Sequence, residues 1–214
     1  MQATSIANGE IHVWRIDLDR PAANLLKLLS PDETERSARL KQALDRNRFI
    51  RSHGAMRSIL GRYLGLPGDV LRFGVADKGK PYLISPDSNL KFNLSHCEDL
   101  ALLAVAEDIS LGIDLERIRT KPLQLKIAKR MFPESVYSEL SSLPAELLDK
   151  KFLQYWTEFE AKAKCLGNGI FSNTEEYDHP LITHFTPKPG WIACVAYMQR
   201  DRDNMNLRHH NFGS

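Results

Sequence analysis

Two short segments carry residue types that can do chemistry together. Leu111-Gly112-Ile113-Asp114-Leu115-Glu116 alternates as a strand does, so Asp114 and Glu116 share one face while Ile113 and Leu115 take the other. Trp156 to Lys164 reads as a helix, on which Glu160 and Lys164, four apart, are neighbours. Three carboxylates that converge, with an ammonium one helical turn from the last, suit a hard divalent cation holding phosphate oxygens. That combination points to phosphoryl-type chemistry. Each piece alone has a plainer reading. An Asp-x-Glu on a strand is commonly a solvated face, and a Glu/Lys helix pair contributes only a few tenths of a kcal/mol.

The elements that must position these residues can be read from periodicity and end signals. Ile11 to Leu18 alternates like a strand. Ser30-Pro31-Asp32-Glu33 is a helix start, with Ser30 as N-cap, Pro31 at the first helical position and Glu33 three residues on. Helical pattern then runs from about 32 to 64, with a break expected near Asp45 and an end at Gly65 and Pro67-Gly68. Leu71 to Ala76 and Leu90 to Leu94 read as short strands, the second entering Ser95-His96. Ala101 to Ala106 and Leu111 to Glu116 are expected to pair across a turn around Glu107-Asp108. A second helical region covers about 123 to 130, 134 to 143 and 145 to 166, ending at Gly167-Asn168-Gly169. Ile192 to Met198 reads as a last strand, and the polar stretch 201–214 as a frayed tail. The order implies an α+β fold of two α/β halves, residues 1–110 and 111–200, with the site between them.

Bulk properties bound the partners. The 214 residues are 43% hydrophobic and 26% charged, ordinary for a globular chain, and the net charge of +2 is too small to argue for nucleic acid. Arg36, Arg39, Lys41, Arg46, Arg48 and Arg51 form a basic stretch suited to an acidic partner, a polyphosphate or plain solvent. Cys97, Cys165 and Cys194 show no CxxC spacing, which argues against a zinc site or a disulfide framework. Glu10, Arg15, Asp17 and Asp19 interrupt the first 20 residues, which do not read as a signal peptide, and no stretch approaches the ~20 apolar residues of a membrane span. A cytoplasmic monomer is expected, with no nucleic-acid or membrane partner.

At these residues the chain resembles the 4′-phosphopantetheinyl transferases, in their larger, monomeric surfactin-type group. The resemblance rests on Gly112-Ile113-Asp114-Leu115-Glu116, on Trp156 to Lys164, and on Leu166-Gly167-Asn168-Gly169. Upstream it includes Gly79-Lys80-Pro81-Tyr82, Phe92-Asn93-Leu94-Ser95-His96, and Arg48 followed by Arg57. It spans roughly residues 10 to 170. It implies two similar lobes in a pseudo-twofold arrangement, and transfer of phosphopantetheine from coenzyme A to a serine of an acyl or peptidyl carrier protein. Adenosine 3′,5′-bisphosphate would be the second product. By the same resemblance Asp114, Glu116 and Glu160 hold Mg²⁺ (or Mn²⁺), Glu160 takes the serine proton and Lys164 stabilises the leaving phosphate. Arg48, Lys80, Pro81, Ser95 and His96 contact coenzyme A, with Arg48 on its 3′-phosphate.

One departure stands out. The family has a lysine just before the helix glutamate, and this chain has Phe159. A helical wheel places Phe152, Phe159, Ala163 and Leu166 on one apolar stripe, which makes Phe159 a core residue. The lost cation leaves two competing readings in play: a catalytically impaired module that binds coenzyme A and carrier protein, and a metal-dependent phosphohydrolase. Ser95 lacks a Gly-x-Ser-x-Gly setting and is not read as a nucleophile. Lys121, Lys126, Lys129 and Arg130 are expected to receive an acidic carrier protein by electrostatic steering.

Overall fold

A computed structural model of the chain describes residues 4–120, 123–167, 180–198 and 205–213. Its elements begin with strand β1 (Glu10–Asp17) and helix α1 (Pro31–Ala38), which starts as the sequence dictates. Ser30 Oγ accepts from Glu33 N, and Glu33 returns a carboxylate to Ser30 N, a capping box of about 1 kcal/mol. After residues 39–42 the chain re-enters helix as α2 (Ala43–Leu64), which stops at Gly65 in the left-handed region at φ 65°. The break therefore falls just before Asp45.

Strands β2 (Arg72–Val75) and β3 (Pro81–Ser85) form a two-stranded ribbon, and β4 (Leu90–Cys97) runs on through Ser95 and His96 into β5 (Leu100–Glu107). The second part contains β6 (Leu111–Arg117), α3 (Gln124–Met131), α4 (Glu134–Ser142), α5 (Ala145–Leu166), β7 (Leu181–Phe185) and β8 (Trp191–Tyr197). Strand β9 (Asn206–Asn211) follows. Among the described residues no helix is long and apolar enough to cross a membrane.

Two sheets organise these elements into an α+β fold, one ordered β4-β5-β1-β9 and the other β6-β8-β7. Their facing sides share one apolar layer: Ile11, Val13, Leu102 and Ala104 from the first, Leu111, Ile113, Leu115 and Val195 from the second. On its other side the first sheet packs Trp14, Ile16, Phe92 and Leu103 against Ala55, Ile59 and Leu60 of α2. The second sheet carries α5 on its outer side.

The connection of β1, α2, β4 and β5 recurs as β6, α5, β7 and β8. In each case the last strand pairs antiparallel with both the first and the one before it. The repeat is topological, and no matching repeat is visible in the sequence.

Two expectations fail. β5 and β6 are not a hairpin, because β5 pairs with β4 and β1 while β6 pairs with β8. Their alternation is as read, but their apolar faces meet side chain to side chain across the inter-sheet layer. The stretch 201–214 is not frayed where it is described. β9 lies parallel to β1, held by Arg208–Glu10 at 2.8 Å and by the His210 ring stacked 4.6 Å from Trp14.

Candidate active site

Close approach of α5 to β6 gathers the acidic residues. A side chain on Gly112 would put a Cβ 2.2 Å from the Ala161 carbonyl oxygen and 2.4 Å from Cys165 N, so the strand can lie against the helix only where it has glycine. The buried residues of α5 are Phe152, Leu153, Thr157, Ala161 and Cys165, and those beside Gly112 are small. Of the stripe expected from the wheel, Phe152 is buried, while Phe159, Ala163 and Leu166 are only half-buried. Phe159 is half-buried in an aromatic cluster, edge-on to Phe132 at 5.9 Å and tilted against Trp156 at 6.2 Å. It is an edge packing residue, not part of the helix–sheet core.

With α5 so placed, Lys164 becomes the centre of the site. Its Nζ donates to Asp114 Oδ1 at 2.6 Å and to Ser95 Oγ at 3.2 Å, and stands 3.9 Å from Glu160 Oε2. Ser95 Oγ itself donates to Asp114 Oδ1 at 2.9 Å. Asp114 is buried, which raises its carboxyl above the ordinary carboxylate range against the opposing pull of Lys164. Glu116, two residues along β6, accepts from Cys97 Sγ at 3.6 Å. β4, β6 and α5 thus bring Ser95, Asp114, Glu160 and Lys164 together, with Glu116 beside them.

The donor set consists of carboxylate oxygens, which suits a hard cation in kind. A buried carboxylate already compensated by an ammonium is a place that calls for positive charge. As the side chains stand, no three His, Cys, Asp or Glu groups among the described residues are close enough to hold an ion.

Two cavities flank the Ser95–His96 end of β4. One, of about 410 Å³, is lined by Gly79, Lys80, Pro81, Asn93, Glu160 and Lys164; the other, of about 330 Å³, by Arg48, Phe49, Ser52, His96 and Glu98. Neighbours on a strand point to opposite faces, so Ser95 meets Asp114 while His96 enters the second cavity with Arg48. Burial, and then the Lys164 charge, lower the His96 pKa and favour the neutral ring over the imidazolium. Arg48 is held on Asp19 by Nε at 2.7 Å and Nη2 at 3.2 Å.

Arg57 does not share that surface. It is buried, donating to Glu33 at 2.6 Å and to the carbonyls of Gly68 and Leu71, and it acts as a structural pin. Lys80 is also engaged, with Nζ on Leu111 O at 2.9 Å and Cys165 O at 3.2 Å. Sequence reasoning gave no role to Asn93, although it quoted the segment containing it. Its Oδ1 accepts from Ile113 N at 2.8 Å, and its burial is the signal a sequence does not carry. Of the stop after α5, Gly167 is present in the left-handed region at φ 70°, while Asn168 and Gly169 lie outside the described residues, as does Lys121.

Comparison with known proteins gives the family. Residues 12–108 match the family model for the 4′-phosphopantetheinyl transferase N-terminal region, and residues 110–196 that for the 4′-phosphopantetheinyl transferase superfamily. The chain belongs to the 4′-phosphopantetheinyl transferases. It is 42% identical over 196 residues to the 4′-phosphopantetheinyl transferase HetI of Nostoc sp., covering 87% of this chain and 82% of that protein. With psf-1 of Bacillus pumilus the identity is 32% over 156 residues (71% and 65% of the two chains), and with Sfp of Bacillus subtilis 29% over 164 residues (74% and 71%).

Proposed function

We propose that this transferase moves phosphopantetheine from coenzyme A to a carrier-protein serine at the cluster of Ser95, Asp114, Glu116, Glu160 and Lys164. The observation that carries the reading is the Lys164 ammonium, which joins Asp114 of β6 to Ser95 of β4 beside the larger cavity. The adenosine end of coenzyme A lies along Gly79-Lys80-Pro81, and its 3′-phosphate enters the second cavity between Arg48 and His96. Arg48 then exchanges or shares Asp19 for the phosphate, which its two-pronged donor geometry suits. The pyrophosphate lies over Ser95 and Lys164.

Asp114, Glu116 and Glu160 would hold a Mg²⁺ or Mn²⁺ ion, which when bound supplies positive charge to the pyrophosphate oxygens. The protein's own part is positioning and proton handling. The carrier serine oxygen attacks the phosphorus that bears the pantetheine arm, forming a new P–O bond as the bond to the bridging oxygen breaks. Glu160 accepts the serine proton. Lys164 donates to the phosphate of the departing adenosine 3′,5′-bisphosphate, where charge grows. Phe159 packs beside Glu160 and leaves this arrangement intact, which supports an active enzyme over an impaired binding module.

The carrier docks on α3, whose Lys126, Lys129 and Arg130 are exposed next to the exposed Leu123. Such a face steers an acidic partner. The test is the intact mass of an apo carrier protein after incubation with the enzyme, coenzyme A and Mg²⁺. A gain of one phosphopantetheine arm is expected. No gain across several carriers, with coenzyme A still bound, would assign the chain to the binding module instead.

A further inference from the structure

Among the described residues, the edge of β6 that faces away from β8 pairs with no strand, since β6 ends its sheet. Side chains take the place of a strand there. Asn93 Oδ1 accepts from Ile113 N at 2.8 Å and Lys80 Nζ donates to Leu111 O at 2.9 Å. Leu111 and Ile113 are two apart, so their backbone groups point the same way, and each finds a side-chain partner. Lys80 does more than satisfy the strand. Its second bond goes to Cys165 O, in the last turn of α5. A cation at that end of the helix also meets the negative pole of its dipole.

Lys80 is brought there by its own ribbon. Ala76 N donates to Lys80 O at 2.9 Å and Gly79 N to Ala76 O at 2.7 Å, closing a turn in which Gly79 sits at φ 88°. One ammonium therefore ties together the strand that carries Asp114, three residues beyond Leu111, and the helix that carries Glu160 and Lys164, whose last residue directly precedes Cys165. A lysine moved onto a phosphate would give up both of these bonds and with them its link between β6 and α5.

We propose that Lys80 is a positioning residue for phosphopantetheine transfer: it buckles β6 to the last turn of α5 and so fixes the spacing between Asp114 and the Glu160–Lys164 pair. The proposal rests on the reading that these groups serve the reacting phosphates. It replaces the expectation that the lysine of the Gly-Lys-Pro segment binds coenzyme A through its own charge.

The test compares wild type with Lys80→Met, which keeps the stem and removes the donors, and Lys80→Arg, which restores a cation able to bridge two carbonyls. In Lys80→Met the value of kcat is expected to fall about 10-fold or more, since small misplacement of reacting groups is costly. The Kd for coenzyme A, measured by calorimetry, stays within about threefold. Amide exchange quickens in residues 111–114 and 163–167, and Lys80→Arg recovers most of both losses. Should Lys80→Met not fold, Lys80→Gln, which keeps an amide donor, is read in the same way. A Kd raised about 10-fold, with exchange in both segments unchanged, would make Lys80 a phosphate ligand and overturn the proposal. A wild-type chain that transfers nothing to any carrier protein would sink the transfer mechanism, whereas unchanged exchange sinks the buckle, so the two failures are separable.

Discussion

In residues 10–107 and again in residues 111–197 a strand leads into a 22-residue helix, and two further strands return so that the last pairs with the first. The helices differ in what they do with their charges. α2 turns Arg51 and Arg57 inward. Arg51 donates to the carbonyls of Asp17 and Pro21, Arg57 to those of Gly68 and Leu71, and neither is available to a ligand. α5 keeps Glu160 and Lys164 at the rim, facing β4 and β6, and buries small residues against Gly112. α2 uses Arg51 and Arg57 to fasten loops and turns only Arg48 toward the second cavity, whereas α5 presents a carboxylate and an ammonium to the first. The same topology thus buries cations as fasteners in one half and sets charged groups at a cavity in the other, and the division is set by whether the charged positions lie on the docking stripe or beside it.

Removing a charge from the reaction surface should cost rate without stability. Glu160→Gln is expected to slow transfer about 10²- to 10⁴-fold, the range for a lost general base, with Tm essentially unchanged. Steady-state kinetics beside a thermal melt would check this, and a large drop in Tm would erase the contrast between the helices. The converse holds for the fasteners. Arg57→Met takes the ion-pair partner from Glu33, which keeps only its bond from Ser30 N, and removes a donor from two carbonyls; it should destabilise the chain by about 3–5 kcal/mol in a urea titration, while the folded population keeps its Kd for coenzyme A.

Gly112→Ala should fall between the two. Its methyl meets the α5 backbone, so a loss of about 1–3 kcal/mol is expected together with reduced kcat, because the helix must back away from Asp114. Full retention of both would mean that the close approach does not matter.

The smallest effect concerns acid. Hydrogen bonding from His184, and then from Lys162, holds Glu158 at a pKa of about 2, below its ordinary 4.5. A depressed carboxyl stabilises the fold above pH 4.5, and that contribution is lost as the pH falls toward 2. Tm measured across this window should therefore drop less steeply in Glu158→Gln than in wild type.

The local elements were legible because their signals are local. The Ser30 capping box, Gly65, Gly167 and the 3.6-residue periods placed the α-helices described to within a few residues, while the 3-10 turns at Ala23–Leu28 and Gly68–Val70 went unread. Sheet membership was not, because alternation names a face and never a partner. β5 and β6 alternate as read, yet they meet through their apolar faces. β9 is polar and half exposed, and the rings of Trp14 and His12, almost 200 residues upstream, give His210 something to pack on. The wheel found buried Phe152 but set Phe159, Ala163 and Leu166 on the buried face because it weights apolar side chains, whereas contact with Gly112 selects Ala161 and Cys165. Within the site, Lys164 links Asp114 to Ser95 and stands 3.9 Å from Glu160, while no three carboxylates among the described residues stand close enough to hold an ion. Arg57 and Lys80 could not be sorted from ligand-binding cations by sequence, since an arginine or lysine bonded to main-chain carbonyls looks no different in one dimension from one that waits for a phosphate.

The parallel pairing of β9 with β1 sets a schedule for making this protein. On the ribosome β1 emerges early, and its outer neighbour is translated roughly 200 residues later, about 10–40 s at ordinary rates of synthesis. Throughout that interval the nascent amino-terminal sheet carries an open edge that can recruit a strand from another chain. Emergence of residues 206–211, and not completion of the first half, is then the event that covers the β1 edge, and chaperone dependence should rise as translation slows.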